Sequence, residues 1–211
     1  MTRVYRSPAR AEAAARTRAA IVASARELLV TEGYVGATVE RIAHGAGVNI
    51  DTVYRSVGRK AEVMRAVVES ALSGSPDAVP AQQRDYVLRI REASTAGEKL
   101  DTYAGALVAI QQRLAPVFAA LRDAAHTDES SRELWRQISE RRARNMREFA
   151  GELRSTGELR DDLDDEQVAD IVWSMNGPEY WILLVEERGW PPERFERWIA
   201  DAWRRLLLRR S

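Results

Sequence analysis

The chain is 211 residues long, 45% hydrophobic and 30% charged, with 32 basic and 32 acidic side chains and no cysteine. That is enough apolar material for one or two domains with a real core, and without cysteine there is no disulfide framework, thiol nucleophile or thiolate metal site. A formal net charge of zero excludes a protein that coats DNA by bulk positive charge, yet residues 1–60 carry ten Arg and Lys against five Asp and Glu, and the remainder holds 22 against 27.

In chain order, residues 1–15 come first, with Arg3, Arg6 and Arg10 amid alanine and Pro8. They show no apolar face and read as a disordered basic arm; the alternative is an arm lying along the minor groove or backbone of DNA. A domain is expected over 16–59. Its first helix carries an apolar stripe of Ile21, Val22, Ala25, Leu28 and Leu29 and ends at Gly33–Tyr34.

Residues 38–60, TVERIAHGAGVNIDTVYRSVGRK, carry the densest signal. Thr38 is a good N-cap, and Val39, Ile42, Ala43 and Ala46 follow at helical spacing. Gly47 ends that helix, because glycine takes the left-handed conformation at little cost. Val48 returns to the core, Asn49 caps a second helix, and Val53 anchors that helix inward. Ile50, Asp51, Thr52, Tyr54 and Arg55 are left outside, at the positions from which a helix-turn-helix reaches base edges in the major groove. Tyr54 and Lys60 stand where a hydroxyl and an ammonium can grip phosphates, Lys60 at a helix start whose free N–H groups favour an anion. Two short helices joined by a glycine turn also occur in other all-helical proteins.

The remainder, 60–211, is expected to be a helical effector-binding and dimerisation domain. Its first helix runs from Lys60 to Leu72 with Val63, Met64, Val67, Val68 and Ala71 inward, followed by a loop over Ser73–Ala81. Helices are predicted over 82–93, 98–113, 116–125, 129–154, 165–187 and 192–209, the fifth kinked at Gly177–Pro178. No strand alternation is sustained, so the fold class is all-α. The last two helices present more apolar and Trp-rich surface than one small body needs. An interface with a second copy is expected there, at Val172, Trp181, Leu184, Trp198, Ala202 and Trp203, with plain core packing as the alternative.

Enzymatic signals are thin. The two histidines, His44 and His126, lie far apart in the chain. The acidic run Arg160–Gln167 lacks the glycine and ligand spacing of a calcium loop and suits a helix start capped by Asp164. No catalytic residue, cofactor or metal is expected. The longest apolar stretch, Ile171–Val185, is interrupted by Asn176, Gly177, Pro178 and Glu179, and the N-terminus has no apolar signal region, so no membrane association and a cytoplasmic location are expected.

From Arg16 to about Ala71 the chain resembles the N-terminal domain of TetR-family transcriptional regulators. The resemblance rests on Thr38, Ile42, Ala43, Ala46, Gly47, Val48, Tyr54 and Lys60 in register. The chain departs from it at Val57, where the family usually has phenylalanine, and at Asn49, where serine is commoner. The resemblance implies an N-terminal three-helix reading head, a linker helix and a helical body that dimerises and holds a small-molecule effector. Thr38, Tyr54 and Lys60, with Arg41 as a further candidate, are assigned to phosphates, and Ile50, Asp51, Thr52 and Arg55 to bases. Tyr103, Leu107, Phe118, Trp135, Trp173 and Tyr180 are the candidates for a pocket that suits a small apolar or aromatic effector. The expected protein is a dimeric repressor of a palindromic double-stranded DNA operator. The alternatives are a small-molecule binding protein of the same fold without specific DNA binding and an enzyme on a helical scaffold.

Overall fold

The computed structural model describes residues 8–75 and 79–209. Ten α-helices account for most of them: α1 (Pro8–Gly36), α2 (Val39–Gly45), α3 (Ile50–Ser56), α4 (Lys60–Ser73), α5 (Asp85–Glu92), α6 (Ala96–Ala125), α7 (Glu129–Arg154), α8 (Asp165–Met175), α9 (Pro178–Trp181) and α10 (Pro192–Leu207). Among the described residues the extended pairing is a single isolated bridge between Leu159 and Leu208, so the fold is all-α as predicted.

The chain forms two compact units, one of residues 1–79 with 116–134 and one of 80–115 with 135–211. This cuts the chain differently from a boundary at residue 60. α4 belongs with the reading head because its apolar side chains pack on α1. In the first unit, Ile21, Val22, Ala25 and Leu29 of α1 and Val63, Met64, Val67, Val68 and Ala71 of α4 are all buried, which removes two helical stripes from water.

Three local structures differ from the sequence expectation. α1 starts at Pro8, so residues 8–15 are helical where the absence of an apolar face suggested a disordered arm; Arg3 and Arg6 lie outside the described residues. α6 runs without a break from Ala96 to Ala125 and carries Pro116 inside it, where two helices were predicted. Proline forfeits one backbone hydrogen bond there, but the adjacent Ala115, Val117 and Phe118 are buried, and that packing overrides the propensity.

The predicted helix over 165–187 is three pieces. α8 ends at Met175, and Gly177 is extended (ψ 147°), as a residue before proline prefers. α9 restarts with Pro178 at its first position, then widens into a π-helical turn over Ile182–Glu187. Among the described residues α6 alone is long and apolar enough to cross a membrane, and half of its most apolar window is buried inside the chain, as in a core helix.

The second unit is built around aromatic side chains. Trp203 stacks on Tyr103 at 5.5 Å between ring centroids, Phe149 meets Tyr103 edge-on at 5.2 Å, and Trp181 meets Phe195 edge-on at 5.1 Å. Val172, Trp181 and Trp203 are therefore buried within one chain, which corrects their assignment to a surface between copies. Their helical stripe is satisfied internally. Leu184, Trp198 and Ala202 remain half-exposed, and Leu183 and Leu206 are 48% and 41% exposed.

Candidate nucleic-acid interface

The reading pair is set by local chemistry. Thr38 sits in extended backbone and accepts from the Arg41 amide at 3.3 Å, capping α2. At the other end Gly47 takes φ +65°, the conformation that turns the chain back, and the Val48 amide bonds Ala43 O at 3.0 Å. Asn49 then caps α3, its Oδ1 accepting from the Thr52 amide at 2.8 Å and the Thr52 hydroxyl at 2.7 Å. Ile42, Ala43 and Val53 are buried beneath the pair, Ala46 and Val48 are half-buried, and Gly47 is exposed.

Two longer-range contacts hold this pair on α1. Ser24 donates its hydroxyl to Ile42 O at 3.1 Å from a buried position. α2 approaches so closely that a Cβ on Gly45 would lie 2.4 Å from that hydroxyl oxygen, which is why glycine stands there. Arg18 donates from Nη1 to Ser56 O at 3.0 Å and ties the far end of α3.

On the outward edge of α3 four of the five residues expected outside are exposed and one is not. Asp51 and Arg55 are exposed, Ile50 is 38% and Tyr54 47% exposed, and Thr52 is half-buried. Arg55 lies back along the helix, with Nε on Asp51 O and Nη2 on the Thr52 hydroxyl, both at 3.4 Å. Beside α3 an open depression is lined by Val39, Tyr54, Gly58, Arg59 and Lys60. It gathers two cations, a phenol and the N-terminus of a 14-residue helix, the equipment that binds a phosphate. Arg59 was missed in the sequence; its only signal is a place between Gly58 and the start of α4.

Two predicted phosphate ligands carry internal partners. Arg41 forks onto the Glu32 carboxylate and also donates to Gly36 O, and its guanidinium holds the Glu32 carboxyl below the usual range. Lys60 donates to Tyr34 O, with its ammonium 4.0 Å from the centre of the Tyr34 ring. Partial burial pushes the Lys60 ammonium down, while the charges of Asp128 and Glu40 oppose this. The Tyr34 hydroxyl also lies beside the Asp128 carboxylate, whose Oδ2 caps α7 by accepting the Ser131 amide at 2.7 Å. This Tyr34–Asp128 link between α1 and the start of α7 has no signature in the sequence.

The structure does not gather all the pocket candidates. Phe118 is buried in the first unit, whereas Tyr103, Leu107, Trp135, Trp173 and Tyr180 belong to the second. Tyr103 and Leu107 are deep in its core, with Trp173 and Tyr180 packed at the core's margin. His44 is exposed, and among the described residues no group of three or more His, Asp or Glu is placed to hold a metal.

Residues 21–67 match the family described as bacterial regulatory proteins, tetR family. An uncharacterized HTH-type transcriptional regulator, YdeS, of Bacillus subtilis (strain 168) is 28% identical over 171 residues, covering 80% of this chain and 79% of that protein. Among solved structures, the fatty acid degradation regulator FadR from Bacillus halodurans superposes with a TM-score of 0.71 at 16% identity, over 94% of this chain and 96% of that one. SmeT in complex with triclosan gives 0.70 at 18% identity, over 92% and 93%.

Proposed function

We propose that this chain, whose reading head is a tetR-family DNA-binding domain, is a dimeric, effector-responsive repressor of a palindromic operator. The observation that carries the reading is the α3 edge. Ile50, Asp51, Thr52 and Arg55 face outward on a helix fixed from behind by Val53 and the Asn49 cap, with the Tyr54–Lys60 depression beside it. The bases fall to α3 and the phosphates to Thr38, Tyr54, Lys60 and the newly found Arg59, with Arg41 available once it leaves Glu32. Two heads related by a two-fold axis match half-sites about 34–36 Å apart or a multiple of that. The place of action is then the cytoplasm, where the DNA is.

The effector is a small molecule with an apolar or aromatic body, bound in the second unit near Tyr103, Leu107, Trp135, Trp173 and Tyr180. The triclosan complex of SmeT supports an aromatic body by analogy. Release of DNA requires only that the effector favour the non-binding arrangement of the heads by a few kcal/mol, on the order of 1–3 for typical couplings.

Selection of bound fragments from a random DNA pool tests the reading. Enrichment of a palindrome is expected. An enriched half-site without its inverted repeat would refute the dimer on DNA. No enrichment, with or without cell extract, would leave a small-molecule binding protein of this fold.

A further inference from the structure

The second unit contains a desolvated cation with no counter-ion. Arg142, on α7, is largely buried, and burial pushes its guanidinium down, opposed by Tyr103 and Glu179. It stays charged at any physiological pH. Its Nη2 uses both hydrogens, on Trp173 O at 3.0 Å and Asn176 Oδ1 at 2.7 Å. The guanidinium carbon stands 5.1 Å from the centre of the Trp173 ring. Nη1 and Nε have no acceptor, and Glu179, the acid whose charge it feels, does not close an ion pair with it.

The neighbours cannot supply the missing acceptor. Asn176 is spent: Oδ1 takes Arg142, Nδ2 donates to the Tyr103 hydroxyl at 2.8 Å and reaches Met146 Sδ at 3.0 Å, and its carbonyl accepts Gln111 Nε2 at 2.7 Å. The indole N–H of Trp173 is buried without a partner, as is Gln111 Oε1. The unmatched Trp173 N–H carries a desolvation penalty, whereas the free nitrogens of Arg142 are not fully buried and stay open to an incoming acceptor.

We infer that Arg142, with the Trp173 indole N–H, is the anchor for an anionic group on the effector, a carboxylate attached to an apolar or aromatic body. One guanidinium and one N–H balance a single negative charge. A dianionic phosphate would need a second cation and would face Glu179. The free Nη1 takes a carboxylate oxygen in a charge-assisted bond. The inference rests on the effector-binding reading above and names the effector's class.

The test is calorimetric titration of the full-length protein with two matched pairs, 2-naphthoate against 2-naphthamide and octanoate against octanamide. Each pair differs in charge at nearly constant shape. At least one carboxylate is expected to bind about ten-fold or more tightly than its amide. Arg142→Met should abolish that preference while leaving amide affinity within about three-fold, and Arg142→Lys should restore part of it. If carboxylate and amide bind wild-type protein equally, the anionic anchor is refuted and the apolar effector stands. If no probe binds, both fall. If Arg142 merely staples α7 to the α8–α9 turn, Arg142→Met lowers thermal stability and the wild-type protein shows no carboxylate preference. The wild-type comparison needs no variant to fold.

Discussion

At the scale of single residues, Thr52 shows how a side chain can be both structural and available. Its hydroxyl is already committed to Asn49 Oδ1 at 2.7 Å, so its methyl is the part left for a base, and a thymine methyl is the natural partner. Thr52→Ala should therefore cost about 1–3 kcal/mol at particular base pairs only, and Thr52→Val should retain most of that discrimination. Binding isotherms on operator and single-substitution duplexes check this; equal loss on every sequence would contradict base reading. Lys60 is the contrasting case, a point charge without base information. Lys60→Ala should weaken binding to all sequences and lower the slope of log K against log salt by about one unit per head. An unchanged slope would mean that the ammonium stays on Tyr34 O when DNA binds. Behind both stands the contact of Gly45 with Ser24. Gly45→Ala should destabilise by about 1–2 kcal/mol, because the added methyl displaces the Ser24 hydroxyl from Ile42 O. Adding Ser24→Ala should recover part of that loss in denaturant unfolding, a non-additivity that a general helix effect would not produce.

At the scale of elements, caps decide where helices begin, and their neighbours decide whether they continue. Asp164 and Gln167 form a reciprocal capping box at the start of α8, with bonds of 2.8 and 2.9 Å. Asp164→Ala should cost about 1 kcal/mol and lower the melting temperature of the full chain, read by circular dichroism. Tyr34 brings three elements together: it follows the break in α1 at Gly33 (φ +72°), carries the Lys60 ammonium of α4 on its ring and lies beside the Asp128 cap of α7. The α6–α7 connection thereby becomes part of the same compact unit as the reading head. Pro116 makes the opposite point. A proline that stops a helix in isolation is carried inside α6 because the side chains around it are buried.

At the scale of the whole molecule, the unresolved burial lies in the second unit. Leu183 and Leu206 remain 48% and 41% exposed after Val172, Trp181 and Trp203 have gone into the core. With half-exposed Leu184, Trp198 and Ala202 they form the surface on which a second copy is expected. The double variant Leu183→Glu, Leu206→Glu should be monomeric by light scattering, with unchanged helical content and no selection of palindromes. A dimer that survives both charges would place the two-fold axis elsewhere on the chain.

Much of the reading head was legible from residue order alone because its signals are local. A side-chain oxygen at Thr38 and Asn49, a glycine that takes positive φ at Gly47 and apolar residues three and four apart each act within one turn of helix. The same holds for the all-α class and for the Asp164 cap. Tertiary structure decided what buries each stripe. Periodicity says that Val172, Trp181 and Trp203 face something apolar, but not whether it is the chain's own core or a second copy. It also decided which distant polar groups meet. Arg142 with Asn176, and Tyr34 with Asp128, are brought together by packing between helices, and no spacing along the chain encodes such a pairing.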